Sequence, residues 1–413
     1  MITETIDWIH SYKANGRRPD KERMQALLTE LGNPQKQVPC IHVVGTNGKG
    51  STTAYLQALF SACGYRCGTF TSPYITCFNE RMAIDGRPIS NDELEELCQA
   101  IKPHLEKLEE RYGRLTEFEL VTALMFCYFA KEKPDLAIIE AGIGGLHDTT
   151  NCFRAQAVVC PSISFDHTET LGDSLAQIAE QKVGVLDEGV PVIFGAFQKE
   201  ARAVFYAKAR DTHSPTFELG KDFQLRRQEQ TFDFSYHDFA LENIQLAMAG
   251  RHQQDNAALA IMTTLVLTEK FPKLKPESYL GALKTVQVKG RTEWLLDNLV
   301  IDGAHNEGGI KSLRDWLTSQ YSNQSVAILF AGLRRKPLES LLELLAGYDV
   351  SVTSFSFFEA EQLDNYPDSY PRVAHFEEWF QRAKADPSTL YVMTGSLYFI
   401  SEVRERFLKQ EKS

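Results

Sequence analysis

The stretch HVVGTNGKGSTT, residues 42–53, constrains this chain more than any other: an apolar run ends in a turn with three glycines and one lysine, followed by small hydroxyl residues. A strand that breaks into such a turn and continues as a helix aims backbone N–H groups and the helix N-terminus at an anion, while Lys49 adds a point charge. The turn therefore reads as a phosphate site. In the usual form of this motif the residue after the lysine is Ser or Thr; here Gly50 stands there and Ser51 follows. Thr46, Asn47, Gly48, Lys49, Gly50, Ser51 and Thr52 are the expected nucleotide contacts, with Ser51 or Thr52 the candidate Mg²⁺ ligand.

A strand–turn–helix unit of this kind belongs in a parallel α/β sheet, and much of the chain agrees. Strand-like runs at 40–44, 66–72, 136–142, 157–164 and 190–195 alternate with helical patterns such as 52–63, where Leu56, Leu59, Phe60 and Cys63 share a face. Residues 216–249 read instead as short alternating strands forming a small antiparallel patch. After a helix in GRHQQDNAALAIMTTLVL, the segment KLKPESYLGALKTVQVKGRTEW carries prolines and glycines and no long apolar run. A second series follows, with strands at 298–302, 325–332, 350–357 and 390–395, helices at about 307–320, 337–346 and 376–385, and a final helix. The expected fold class is α/β: an N-terminal P-loop ATPase domain with a mostly parallel sheet (1–292), and a smaller C-terminal Rossmann-like α/β domain (293–413), with a cleft between them.

Charge narrows the partners. With 44 Lys and Arg against 55 Asp and Glu, a net charge of -11 and no basic cluster, neither nucleic acid nor an anionic membrane surface is an expected partner. The longest apolar run, Leu120 to Ala130, is too short to span a bilayer, and the N-terminus has no apolar signal segment. A cytoplasmic monomer is expected. Eight cysteines without a CxxC pair read as reduced thiols.

Three further residues stand out in the first half. Glu140 closes an apolar strand at its carboxyl end, where parallel sheets bind ligands, and Gly142, Gly144 and Gly145 after it permit close backbone approach. A carboxylate there suits Mg²⁺. His167 follows another strand in SFDHTE, where Asp166 stands ready to orient it; a lone histidine more often has a structural role. Lys182 shares a helical stripe with Leu175, Ile178, Ala179 and Leu186, and by spacing alone such a lysine reads as one whose head snorkels to the surface.

The turn GTNGKGS resembles the ATP-binding turn of the Mur ligase superfamily, and the form with Gly after Lys is similar to that of folylpolyglutamate synthases and dihydrofolate synthases. Further stretches agree in order along nearly the whole chain: TSPYITCFNERMAIDG, LTEFELVTALMF, IIEAGIGGLHDTTN, SISFDHTETLGDSLAQIAEQKVGV, GRHQQDNAALA, KGRTEW, IDGAHNEGG and TGSLYFISEVR. The resemblance implies an ATP-dependent ligase that activates a folate γ-carboxylate as an acyl phosphate and joins it to L-glutamate. It implies two Mg²⁺ sites drawing on Ser51, Glu140 and His167, and a carbamylated Lys182 supporting them. Lys49 and Arg291 would serve the ATP phosphates, Gln253, Asn256 and Asp302 the rest of the nucleotide, and His305 the reacting groups. Arg81, Phe118, His305 and Ser396 would meet folate or glutamate.

The chain departs from the family pattern at Tyr74, at Leu146–His147 before Asp148, at Val288–Lys289 before Gly290–Arg291, and at Glu307 after Asn306. These departures bear on the substrate side, including whether dihydropteroate is also an acceptor; such a bifunctional enzyme is the alternative. A peptidoglycan-type Mur ligase would carry a further N-terminal domain, whereas about 40 residues precede the turn here. A non-catalytic nucleotide switch would leave Glu140, His167 and Asp302 without a role, and no NKxD-type signature is present.

Overall fold

The computed structural model describes residues 2–13, 16, 18–228 and 230–411. The chain divides into two compact units, one of residues 1–245 with 255–285 and one of residues 246–254 with 286–413.

The first unit is organised by eight strands: β1 (Cys40–Val43), β2 (Cys67–Phe70), β3 (Met82–Ile84), β4 (Arg87–Pro88), β5 (Leu136–Glu140), β6 (Ala157–Cys160), β7 (Val192–Phe194) and β8 (Thr216–Glu218). Their order across the sheet is β4-β3-β2-β5-β1-β6-β7-β8. All pairings are parallel except the β2–β3–β4 hairpins at one edge. β1, β5, β6 and β7 are buried at every residue, as strands covered on both faces must be, and their sequences are mostly apolar, without alternation, His42 and Glu140 being the polar exceptions. From β1 the chain moves to one side of the sheet, returns to pair β5 with β1, and then crosses to β6 on the other side of β1. That reversal makes the carboxyl ends of β5, β1 and β6 the natural ligand crevice of the sheet.

Local signals place the helices that cover this sheet. Thr116 and Ser174 form capping boxes with Glu119 and Gln177 at the starts of the helices Glu117–Glu132 and Leu175–Val183. One core cluster packs Leu120, Leu124, Phe126 and Phe129 with Phe70 and Ile139; another packs Ile178, Ala179 and Val183 with Val158, Val192 and Phe194. The strands β9 (Gln224–Arg227), β10 (Phe232–Tyr236) and β11 (Phe239–Ile244) form a separate antiparallel sheet. The expected antiparallel patch is thus present, but Thr216–Glu218 is not part of it: it extends the large sheet in parallel beside β7.

The second unit carries β12 (Glu293–Leu296), β13 (Leu299–Ile301), β14 (Val326–Phe330), β15 (Asp349–Val352) and β16 (Leu390–Thr394), in the order β12-β13-β16-β14-β15. Only β12 runs antiparallel. The fold is therefore α/β with a large, mostly parallel sheet and a second, smaller one. The helix after the glycine turn begins at Lys49 rather than 52, because Gly48 in the left-handed region caps it directly. Within the proline- and glycine-bearing segment 273–294, Tyr279–Leu283 is helical and buries Tyr279 and Leu283; two apolar anchors suffice for a single short helix without a long apolar run. All eight cysteines are free.

Candidate functional site

The glycine turn sits between β5 and β6, as the strand order requires. Its backbone is stitched to the segment after β6: Thr46 N–H donates to Ser162 C=O at 2.9 Å, Asn47 N–H to Ser162 Oγ at 2.9 Å, and Ser162 Oγ–H to Asn47 C=O at 3.0 Å. The Thr46 hydroxyl donates to Ser164 C=O and accepts from Ser164 N–H, both at 3.1 Å. Gly48 has φ 86°, and a Cβ there would stand 2.5 Å from Asn256 Oδ1. Any other residue at 48 would be strained in its backbone and would push Asn256 away.

Three charged side chains gather at this end of the sheet. Lys49 Nζ donates to Gly45 C=O at 3.1 Å and to Thr46 C=O at 3.2 Å, and stands 3.9 Å from Glu140 Oε1. Glu140 pairs in register with Val43 at the end of β1, which delivers its carboxylate to the helix start; a Cβ on Gly50 would lie 3.6 Å from Glu140 Oε2. Lys182 approaches from the helix Leu175–Val183 and donates to Gly45 C=O at 2.8 Å. It is 4% exposed, so the snorkelling reading fails: Ile178, Ala179 and Leu186 of its stripe are buried with it. Burial first, and then the like charge of Lys49, lower its amine to about 7.

Ser51 and Thr52 are buried in the first helical turn. Among the described residues no three His, Cys, Asp or Glu side chains converge as a ready metal cage. The donor set nonetheless fits Mg²⁺, which takes one or two carboxylates and completes its shell with water and substrate phosphate. A hydroxyl in the first helical turn and the Glu140 carboxylate beside Gly50 are hard oxygen donors of that kind. His167 begins the short helix Thr168–Leu171 with φ 49°, its Nε2 lying 3.9 Å from Asp166 Oδ1.

The other two candidates of this unit come from elements other than the turn and its helix. Phe118 closes over the backbone after β5, where a Cβ on Gly142 would meet its ring at 2.6 Å. Arg81 closes the loop that starts at Thr71, whose N–H donates to Arg81 C=O at 3.0 Å. The start of that loop meets the charged cluster, since Ser72 N–H donates to Glu140 Oε2 at 3.4 Å.

In the second unit the candidates sit on the carboxyl ends of β13 and β16. Asp302 follows β13; one oxygen accepts from Thr292 N–H at 2.8 Å and the other from Ala304 N–H at 2.9 Å. His305 Nδ1 lies 2.8 Å from Gly303 C=O, so in the neutral ring Nδ1 carries the proton and Nε2 the lone pair. Ser396 follows β16, is 1% exposed, and accepts from Tyr398 N–H at 3.2 Å as N-cap of the helix Leu397–Gln410. Gly395 N–H donates to Ala304 C=O at 3.0 Å, which ties the two turns together. Arg291 is half-buried in the turn before β12. Burial, reinforced by Arg291 and opposed by Asp302 and Asp315, holds His252 below the usual imidazole value. Gln253 and Asn256 are both buried on the helix Arg251–Val266, with Gln253 in the second unit and Asn256 in the first.

Sequence reasoning missed Ser162 and Ser164 as partners of the turn, although their place just after β6 was a usable signal. It also missed a buried relay. His42 Nε2 lies 2.9 Å from Thr150 Oγ1, which donates to Asp148 Oδ1 at 2.6 Å, while Asp148 Oδ2 accepts from Ile143 N–H at 2.8 Å. Burial lowers His42 to about 3, so it is neutral, and raises Asp148 against the hydrogen bonds from Thr150 and Ile143.

Comparison with known proteins adds to this geometry. Residues 43–264 match the family model of the Mur ligase middle domain. The chain is 34% identical over 423 residues to a dihydrofolate synthase/folylpolyglutamate synthase of Bacillus subtilis (strain 168), covering 97% of each chain. It is 32% identical over 428 residues to a folylpolyglutamate synthase of Lacticaseibacillus casei, covering 98% of each. A solved FPGS–AMPPCP–folate complex superposes with a TM-score of 0.89 at 32% identity, over 98% of this chain and 99% of that one.

Proposed function

The chain belongs to the folylpolyglutamate synthase/dihydrofolate synthase family of Mur ligases, and on that premise we propose that it joins L-glutamate to the γ-carboxylate of a folate while ATP becomes ADP and phosphate. The observation that carries the reading is the meeting of Lys49 and Glu140, 3.9 Å apart, at the start of a helix and at the switch point of a parallel sheet. A phosphate-binding cation and a metal-binding carboxylate at one spot are what phosphoryl transfer needs, because catalysis there is almost entirely positioning and charge neutralisation.

The folate carboxylate attacks the γ-phosphorus of ATP, ADP departs, and an acyl phosphate results. The glutamate amine then attacks the acyl carbon, phosphate leaves, and the amine proton passes to base. Lys49 and the N–H groups at the helix start bind the phosphates, and Arg291 adds a second cation. Ser51, Glu140 and His167 would hold Mg²⁺, which supplies further neutralisation of phosphate charge when bound. Gln253, Asn256 and Asp302 bind the remainder of the nucleotide. Nε2 of His305 and the Ser396 hydroxyl orient glutamate, and Arg81 and Phe118 hold the folate.

Lys182 acts in this reading as a carbamate. Its neutral amine adds to carbon dioxide, a nitrogen–carbon bond forms, and one proton leaves, so a buried cation becomes an anion beside the metal-binding residues. Support comes from its burial and from an amine lowered to about 7, which leaves much of it neutral and nucleophilic at neutral pH. The departures at Tyr74 and Leu146–His147 favour reduced folate over dihydropteroate as acceptor. A cytoplasmic monomer completes the reading, and no helix among the described residues is long and apolar enough to cross a membrane.

The test is to incubate the purified protein with MgATP, glutamate and a panel of tetrahydrofolates or dihydropteroate, and to follow products by mass. Added glutamyl units that require both MgATP and folate are the expected result. ATP turnover indifferent to folate and glutamate would overturn the reading, and greater efficiency with dihydropteroate would overturn the stated preference.

A further inference from the structure

The loop 71–81 ends on a charged cluster to which neither the fold nor the phosphate chemistry assigns a task. Arg81 lies with its guanidinium carbon 5.4 Å from the ring centroids of both Tyr74 and Phe78, which come from its own loop. Its Nη2 stands 3.7 Å from Glu117 Oε1, and the same oxygen lies 3.3 Å from His10 Nδ1. The His10 ring in turn meets Phe78 edge-on at 5.9 Å. The side chains are largely enclosed, with Arg81 12% and Glu117 19% exposed. Burial would raise the Glu117 carboxyl, but His10, Arg81 and Lys13 together pull it below its ordinary value, so it is an anion.

The placement of these residues is what gives the cluster meaning. His10 ends the helix Ile2–His10, Glu117 begins the helix Glu117–Glu132, and Phe118 is the next residue after Glu117. One carboxylate oxygen therefore ties three separate segments, two of which carry the candidate folate contacts Arg81 and Phe118. A guanidinium between two rings has freedom to slide along them, because ring attraction is broad in direction. A carboxylate 3.7 Å from its edge, itself 3.3 Å from His10, restrains that freedom by charge.

We propose that Glu117 and His10 are a positioning pair that holds Arg81, and with it loop 71–81, in the arrangement that folate meets. The inference rests on the reading of Arg81 as a folate contact. Neither Glu117 nor His10 touches the reacting atoms, so their removal changes folate affinity and leaves nucleotide use alone.

Steady-state ligation by the full chain tests this with Arg81→Ala, Glu117→Gln, His10→Asn and the double variant Arg81→Ala/Glu117→Gln, each with KM measured separately for folate and ATP. Glu117→Gln is expected to raise the folate KM roughly threefold to fivefold, the scale of a lost ion pair without a hydrogen bond, with the ATP KM and kcat near wild type. His10→Asn should raise it less, and Glu117→Asp should recover part of the loss. In the Arg81→Ala background, Glu117→Gln should add nothing, since the group it positions is gone. An Arg81→Ala protein with unchanged folate KM would overturn the folate role of Arg81 and the pair with it. A raised KM for Arg81→Ala beside unchanged values for Glu117→Gln would overturn the pair alone. Equal losses in folate KM, ATP KM and melting temperature for Glu117→Gln would mark a merely structural ion pair and overturn the proposal.

Discussion

The two units solve the problem of a polar site in different ways. In the first, Lys49, Lys182 and Glu140 come from separate elements and meet around the carbonyl of Gly45 and the start of one helix, so their charges face each other. In the second, Asp302, His305 and Ser396 are held by backbone groups of their own neighbourhood: Thr292, Ala304, Gly303 and Tyr398. The first arrangement stores charge for a ligand to use. The second fixes shape: each residue there is tied to nearby backbone, and Ser396 is also a helix N-cap. Substitutions should accordingly separate activity from stability in the first unit and couple them in the second.

The largest expected effect is on Lys49. Lys49→Ala should lower turnover at least roughly 100-fold, the scale of a preorganised electrostatic contact, while the melting temperature changes little, because the ammonium's hydrogen bonds go only to two loop carbonyls and Glu140 stands 3.9 Å away, beyond hydrogen-bond distance. Near-normal turnover would break the comparison at its first term. Lys182 sharpens it next, because its buried amine should cost stability in a pH-dependent way. An amine at about 7 in the fold, against 10.5 unfolded, means the unfolded chain binds more protons between those values, so stability rises with pH across that window. Lys182→Met, measured without bicarbonate, should therefore be inactive yet more stable than wild type below pH 7, with the advantage fading as pH climbs toward 10. A thermal-melt series showing no pH-dependent difference would place this lysine with the structural residues instead.

Asp302→Ala probes the other side. It strands two backbone N–H groups, and losing one acceptor for both should cost about 1–3 kcal/mol by denaturant melt, together with reduced ligation; lost ligation at unchanged stability would show that the second unit also separates the two. The smallest effect belongs to Ser396→Ala, where loss of an N-cap should cost about 1 kcal/mol, accompanied by a raised glutamate KM. A glutamate KM equal to wild type would leave Ser396 as a cap and nothing more.

Much of this was legible in the chain. The glycine turn, the strand of Glu140 and the alternation of both α/β series depend on residues within one or two turns of each other. Glycine at 48, the capping boxes at Thr116 and Ser174, and the buried runs of β1 and β5 state their conformations locally. Long-range partners are another matter. Arg23 donates to Glu119 at 2.8 Å across 96 residues, and Asn47 meets Ser162 across 115. Such pairs follow from which elements lie side by side, and composition and periodicity do not encode neighbours. By itself the sequence determined the phosphate turn, the two sheets and the family, because steric and hydrophobic preferences act over a few residues. Only the tertiary structure decided that Lys182 is buried against Gly45 rather than reaching solvent, that Asn256 stands over Gly48, and that one oxygen of Glu117 gathers Arg81 and His10. Whether a polar head meets water or another segment depends on what the fold brings to its side.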